Sequence, residues 1–520
     1  MTSDSLFSAV QAAWGALPPD ASAITVAGAS PQQRYTWCDL EEATAMLANG
    51  LAFLDLPAGA RVAVQTEKSV ETLLLYLAVL RAGLVYVPLN TGYTGEEMRF
   101  FLEDARPSVL VCGSAGFGRL AQLAFASGVK HVFTLNPDGS GTLLGRAAVH
   151  PRQHTPVPRA FDDLAAILYT SGTTGRSKGA MLSHGNLLSN ARALVAHWDW
   201  RADDVLLHAL PLFHVHGLFV ACHTALLGGS QMLWLTQFDP AAAIELLPQA
   251  TVFMGVPTLY TRLLGHPALG AEACRPMRLF ISGSAPLRTD TFEAFRARTG
   301  HTILERYGMS ETLMISSNPC RPSDGERRAG TVGRALPGVE LRIAAAPQAA
   351  PSPDGSGEVE VRGPNVCQGY WQRPEPTREA FTADGWFRTG DIGRLDADGV
   401  LTLVGRAKDL IISGGLNVYP AEVETAINAL PGVVESAVIG VPHPDFGEAV
   451  VAVVVPEASG PAPDIAAWTL SLNARLARFK CPKVLLVAAE LPRNAMGKVQ
   501  KNLLREAHRG LFDAPSNAHF

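Results

Sequence analysis

Tyr169-Thr-Ser-Gly-Thr-Thr-Gly-Arg-Ser-Lys-Gly179 has the composition of an anion cradle. Three glycines let the backbone approach a ligand, while hydroxyls and exposed N–H groups donate to it. Arg176 and Lys178 add positive charge where a triphosphate would lie. The stretch is not a Walker A loop, because no Gly-Lys-Ser/Thr follows at the required spacing. A surface Ser/Gly/Thr loop is the plain alternative, but an eleven-residue run in this order favours phosphate. His214 and His216 form a second pair, which alternation on a strand would place on one face. That is also zinc-ligand geometry, yet no Cys or carboxylate completes a site, so packing or hydrogen bonding in a pocket is preferred. Gly308-Met-Ser310-Glu-Thr312 lacks the second glycine of a nucleophile elbow, which argues against a serine hydrolase.

The elements around these residues point to an α/β architecture. Short β-branched runs such as Arg61-Val-Ala-Val, Leu84-Val-Tyr-Val and Ser108–Cys112 alternate with Ala/Leu-rich stretches such as Leu73–Leu80. The phosphate loop leaves a strand expected over Ala165–Tyr169 and precedes a helix that Ser183 could cap. His150–Pro158 is a Pro-rich connection, and Ala344–Gly357 a low-complexity loop between strands. After residue 405 the pattern changes: a helix over Ala421–Leu430, strands over Val433–Val441 and Ala449–Val455, a helix near Ala466–Ala477 and a strand over Val484–Ala488. The expected division is a large domain over 1–404 and a smaller α+β domain over 405–520.

At 520 residues the chain exceeds one ordinary domain, and 47% hydrophobic with 18% charged residues is globular composition. A formal net charge of −5 argues against nucleic acid as the main partner. Eight of the 43 basic residues are lysines, five of them from 408 onward. Seven scattered cysteines without a CxxC pair fit reduced thiols, and the N-terminus shows no secretory signal, so a cytoplasmic location is expected. Val205–Phe238 contains no Asp, Glu, Lys or Arg, and its length alone would allow a membrane span. Four histidines, Pro211 and Gly228-Gly229 interrupt it, so it reads as buried strand, turn and helix.

Taken together, the phosphate loop, Ser282-Gly-Ser-Ala-Pro-Leu287, Glu305-Arg-Tyr-Gly-Met-Ser-Glu-Thr312, Gly385-Trp-Phe-Arg-Thr-Gly-Asp391, Gly405-Arg-Ala-Lys-Asp-Leu-Ile-Ile-Ser-Gly-Gly415 and Pro492-Arg-Asn-Ala-Met-Gly-Lys498 resemble the adenylate-forming acyl-CoA synthetase superfamily. That superfamily includes firefly luciferase and nonribosomal peptide synthetase adenylation domains. The resemblance spans nearly the whole chain and implies a large N-terminal domain of sheets flanked by helices, with a smaller mobile C-terminal domain. It implies two half-reactions: a carboxylate attacks the α-phosphate of ATP to give an acyl-adenylate and pyrophosphate, then CoA thiol displaces AMP.

Carried onto this sequence, the resemblance assigns ATP to Thr170, Ser171, Gly172, Thr173, Thr174, Gly175 and Lys178. Glu311 would hold Mg²⁺, since a hard cation on phosphate oxygens prefers a carboxylate, and Ser310 keeps the hydroxyl of the more common Thr. Tyr307 would stack on one adenine face with Ser284, Ala285 and Pro286 on the other, beside Glu305. Asp391 has two acceptor oxygens for the vicinal ribose hydroxyls, with Arg406 on the same ribose. Lys498 would bridge carboxylate and α-phosphate. Lys408 occupies the hinge position, and Gly414-Gly415 would line the pantetheine path without side chains.

Arg306 departs from the small or neutral residue usual in relatives that activate monocarboxylates. A guanidinium matches a second carboxylate bidentately. Leu304–Pro319, Val433–Glu448 and Leu491–Lys501 resemble malonyl-CoA synthetases. The implied substrates are malonate, ATP and CoA, with His214 as a second contact to the acid and Arg288 as a weaker candidate. Pairing of Arg306 with Glu305 is the structural alternative. Methylmalonate or another short or medium-chain acid is the rival substrate. Transfer to a carrier protein and a non-catalytic nucleotide-binding regulator are more distant, the latter opposed by intact Lys178, Glu311, Asp391, Arg406 and Lys498. Lys498 also sits on an exposed tip of the kind a lysine acetyltransferase reaches, and acetylation would delete its charge.

Overall fold

The computed structural model describes residues 5–29, 33–93, 95–170, 177–344, 355–413, 416–444, 446–458, 460, 462–476, 478–494 and 497–512. Two compact units emerge: 1–341 with 361–387, and 342–360 with 388–520. The division differs from a cut at 404/405 because strands Gly357–Arg362, Phe387–Leu395 and Leu401–Arg406 hydrogen-bond in one four-stranded sheet, most of which groups with the C-terminal residues.

The first unit is built on two sheets with flanking helices. One has six strands in the order His131–Thr134, Val109–Cys112, Arg61–Gln65, Val85–Pro88, Leu164–Thr170 and Lys178–Ser183. Its pairs are parallel except the last, where Thr170 faces Lys178 across an antiparallel hairpin. Strands buried on both faces read as unbroken apolar runs, as Val109–Cys112 does. Ser69 caps the helix Val70–Arg81 by accepting from the Thr72 N–H. Ser183 forms a capping box with Asn186 at the start of the helix His184–His197, as its sequence position predicts.

The second sheet has nine strands. Parallel strands Ile303–Met309, Leu279–Ser282, Val252–Gly255, Val205–His208, Gln231–Trp234 and Ser22–Val26 form its body. Antiparallel strands close both edges. The charge-free segment 205–238 is strand Val205–His208, a turn, a buried π-helix His216–Cys222, helix His223–Leu227 and strand Gln231–Trp234. His214 and His216 therefore do not alternate on a strand: His214 lies in the turn, and His216 opens the π-helix. No helix among the described residues is long and apolar enough to cross a membrane.

In the second unit, Val433–His443 and Gly447–Pro456 pair antiparallel, with Val484–Val487 parallel to the latter. Val438, Val450 and Ala452 point to one core with Val423 and Trp468, while Ile439, Val451 and Val453 point to another with Leu491 and Leu504. The period of two thus fills both faces of this sheet, covered by helices Pro420–Asn428, Ile465–Arg475 and Lys501–Ala507.

Candidate active site

The hairpin between Ile303–Met309 and Leu313–Ser317 carries most of the conspicuous chemistry. A bulge separates Tyr307 from Gly308, and a Cβ on Gly308 would overlap the Leu313 carbonyl. Leu313 itself adopts φ 51°, a conformation costly for a branched residue. This tight turn presents Ser310 and Glu311, with Glu311 only 6% exposed. Tyr370 Oη donates to Glu311 Oε1 at 3.1 Å, and the Lys178 ammonium lies 5.0 Å from the centre of the same ring. Burial, followed by the Glu311 charge, raises the Tyr370 pKa, so the phenol stays a donor. The strap 367–371 is anchored by Cys367 N–H to the Glu311 carbonyl at 2.7 Å and by Trp371 N–H to the Gly179 carbonyl at 2.8 Å. One short segment therefore ties the end of the phosphate loop to the carboxylate that would bear the cation.

Arg306 lies on the same strand, one residue before Tyr307, and is 2% exposed. Its Nε and Nη2 have no hydrogen-bond partner. A Cβ at Gly283 would overlap its guanidinium, so the absent side chain makes room for it. Gly283 leads into Ser284 at φ 72°, whose Oγ is 3.3 Å from His216 Nδ1. His216 is fully buried and its Nε2 also lacks a partner. Burial, then the charge of Arg306, pushes the His216 pKa well down, leaving a neutral ring. Burial likewise pushes the Arg306 guanidinium down. Unpaired donors enclosed this way are costly unless a ligand supplies the acceptor.

Glu305 does not pair with Arg306. Side chains of consecutive strand residues point to opposite faces, and Glu305 Oε1 accepts from the Leu287 N–H at 3.0 Å. Burial raises its pKa to about 8, against lowering by that hydrogen bond and by Arg306. Its Oε1 thereby holds the Ser284–Leu287 loop, while its buried Oε2 has no hydrogen-bond partner. Arg288 forms a half-exposed ion pair with Asp290 at 2.5 Å. His214 Nδ1 accepts from the His216 N–H at 3.2 Å, and His216 is the histidine that senses Arg306.

Within the second unit, Asp391 and Arg406 face each other across antiparallel strands, with Arg406 Nε 2.7 Å from Asp391 Oδ1. Asp391 is 5% exposed, so the carboxylate is held in place. Lys498 closes a tight turn: its N–H reaches Asn494 Oδ1 at 2.9 Å, its carbonyl accepts from the Asn494 N–H, and Gly497 takes φ 73°. The side chain is exposed. Asp409, next to Lys408, is held by Arg505 at 2.7 Å.

Residues 11–371 match the AMP-binding enzyme family, and residues 422–498 match the AMP-binding enzyme C-terminal domain. The chain belongs to the AMP-binding enzyme family. It is 36% identical over 485 residues to a malonate–CoA ligase of Arabidopsis thaliana, covering 86% of this chain and 78% of that one. It is equally 36% identical to a feruloyl-CoA synthase of an Amycolatopsis species, over 94% and 96% of the two chains. The ATP-bound crystal structure of MatB from Rhodopseudomonas palustris shares 49% identity at a TM-score of 0.93, over 98% of this chain and all of that one.

In this AMP-binding enzyme the described residues place Thr170 and Lys178 opposite each other at the mouth of the phosphate loop. Ser171, Gly172, Thr173, Thr174, Gly175, Gly414 and Gly415 lie outside the described residues, as does the side chain of Lys408. Ser284, Ala285 and Pro286 leave strand Leu279–Ser282, whose last residue pairs with Glu305, two residues before Tyr307. Three contributors escape a reading of the sequence. Tyr370 carries no charge and sits 59 residues from Glu311. Gly283 matters through an atom it lacks. His216 looks equivalent to His214 until the π-helix separates them.

Proposed function

We propose that this AMP-binding enzyme makes malonyl-CoA from malonate, ATP and CoA. The observation that supports malonate is the enclosed Arg306, with two guanidinium nitrogens lacking acceptors beside the unpartnered Nε2 of His216. A dicarboxylic acid fills that need with its distal carboxylate, bidentate on Arg306 and accepting from His216 Nε2–H. Equal identity to malonate and feruloyl relatives leaves this choice to the pocket. A monocarboxylate without a distal oxygen, such as butyrate, would leave both groups unpaired.

The proximal carboxylate oxygen attacks the α-phosphorus of ATP, and the bond to pyrophosphate breaks. The CoA sulfur then attacks the acyl carbon of malonyl-adenylate, and AMP leaves with the bonding pair. Both anions must approach through charge, so catalysis is positioning and neutralisation. Lys178 and Lys498 supply cations at the phosphates. Tyr307 and Ser284–Pro286 frame adenine, and the Asp391–Arg406 pair receives the ribose. The Glu311 carboxylate fits a Mg²⁺ ion. No group of three His, Cys, Asp or Glu among the described residues could hold a metal by itself, so phosphate oxygens and water would complete its coordination. On the same reading Lys408 would serve as a hinge and Gly414-Gly415 as the path for the CoA arm, and acetylation of Lys498 would stop the first step alone.

CoA-dependent AMP release with malonate, methylmalonate, succinate, acetate and butyrate tests the assignment. Malonate is expected to lead, with succinate poor. Methylmalonate is expected close behind, because one methyl group is worth only about 1–3 kcal/mol in a pocket. Preference for acetate or butyrate would return Arg306 to a structural role.

A further inference from the structure

Lys68 follows strand Arg61–Gln65 of the six-stranded sheet, yet its ammonium serves the nine-stranded one. Nζ donates to the His208 carbonyl at 2.9 Å and to the Leu235 carbonyl at 2.6 Å. Its third face lies over the Trp234 ring, 4.5 Å from the centroid. No ion pair with a carboxylate accompanies it among the described residues. The residue keeps part of its surface accessible, but the ammonium lies deep enough that burial pushes its pKa well down. A charge-bearing group in such a place is expensive, and only two carbonyls and a ring face offset the cost.

Those two carbonyls are not arbitrary. His208 ends strand Val205–His208 and Leu235 follows strand Gln231–Trp234, so both lie at the carboxyl ends of adjacent parallel strands. Ligand-binding loops of open α/β sheets leave from that edge. The chain leaving His208 runs through Pro211 and His214 into the π-helix. His208 comes back to meet it: Nε2–H donates to the Gly217 carbonyl at 3.0 Å, with Cys222 Sγ 3.4 Å away, while the ring stacks on Trp234 at 4.6 Å. Gly217 is pressed against the Pro211 carbonyl, where a Cβ would overlap. Its neighbour is His216. Lys68, His208 and Gly217 thus form a continuous set of contacts that ends one residue from the histidine beside Arg306.

We propose that Lys68 is a positioning residue for the acid, fixing through His208 and Gly217 the start of the π-helix so that His216 Nε2 meets the distal carboxylate. This rests on the assignment of Arg306 and His216 to that carboxylate. The effect belongs mainly to acid binding, because the Lys68–His208–Gly217 contacts involve no residue assigned to ATP, and the one neighbour that is so assigned, Ser284, meets His216 at Nδ1 and not at the Nε2 offered to the acid.

Steady-state kinetics of Lys68→Met, a length-matched side chain without donors, tests it. The KM for malonate should rise by about tenfold or more, with kcat and the KM for ATP within about threefold of wild type. Thermal denaturation checks that the variant is folded. In a cycle with His216→Gln, the double variant should raise the malonate KM by no more than about threefold beyond the worse single variant, since both act at one contact. An unmoved malonate KM, a joint rise of both KM values, or fully multiplicative effects would overturn the proposal. If Lys68→Met does not yield folded protein, His208→Phe keeps the stack on Trp234 and deletes the bond to Gly217. It should raise the malonate KM alone, and an unchanged value overturns the proposal equally. Wild-type enzyme that does not prefer malonate overturns the Arg306 assignment and this inference with it. Intact preference with an unaltered Lys68→Met overturns this inference only.

Discussion

The proposed acid-binding end of the site is marked by what single residues leave unsatisfied. Arg306 buries two nitrogens without acceptors, which a carboxylate would supply. Arg306→Ala should therefore cost about 2–5 kcal/mol in kcat/KM with malonate, as for one partner of a buried charge pair, and far less with butyrate. Equal losses for both acids would exclude the assignment. Glu305, one position earlier, has the opposite problem. Its carboxyl is held neutral by burial, with a folded pKa of about 8 against an ordinary value of 4.5. The fold prefers the protonated form, so this contribution to stability is complete below about pH 4.5 and is lost as pH rises through about 8. Thermal denaturation between pH 5 and pH 9 should show wild type losing stability relative to Glu305→Gln as pH rises. Parallel curves would mean that Glu305 is ionised throughout.

At the scale of elements, the strap 367–371 joins parts of the site that lie far apart in sequence. Tyr370 fixes one oxygen of Glu311 while its ring carries Lys178. Tyr370→Phe keeps the ring and removes the donor to a charged acceptor, a change of about 1.5–3 kcal/mol. Titration of Mg²⁺ at saturating malonate should show half-maximal activity shifted upward by about tenfold, and an unshifted curve would leave Tyr370 a packing residue. This strap also marks the limit of what the sequence tells. Period-two and helical patterns located Val70–Arg81, the Ser183-capped helix and the paired strands of the C-terminal sheet, because local chemistry decides each of them. Charged motif residues such as Glu311, Asp391 and Arg306 were equally visible. The expected alternation of His214 and His216 failed because a π-helix, set by packing against Pro211 and His208, replaces the strand there. Tyr370 and Gly283 were hidden because their roles depend on partners distant in the chain. The grouping of 342–360 with the C-terminal unit was hidden for the same reason: sheet pairing, not composition, decides it.

For the whole molecule, the groups proposed for the reaction are divided between the two units, with Arg306, Glu311 and Lys178 in the first and Asp391, Arg406 and Lys498 in the second. The proposed role of Lys498 belongs to the first half-reaction only. Lys498→Ala should slow malonyl-adenylate formation by about 10²–10³-fold, as for loss of one donor to a developing charge. Conversion of supplied malonyl-adenylate to malonyl-CoA should change by less than about threefold, measured by single-turnover kinetics. Equal slowing of both steps would place Lys498 in a shared role. The scarcity of lysine has a practical side as well. Of the eight, only Lys68, Lys130 and Lys178 belong to the first unit, and the ammonium of Lys68 is enclosed. Amine-reactive resins or dyes would therefore take hold mainly of the second unit, where Lys498 stands exposed. An immobilised preparation made that way would be tethered through its second unit and modified at Lys498, the cation proposed for adenylation. Attachment through a cysteine introduced on the first unit would leave both intact.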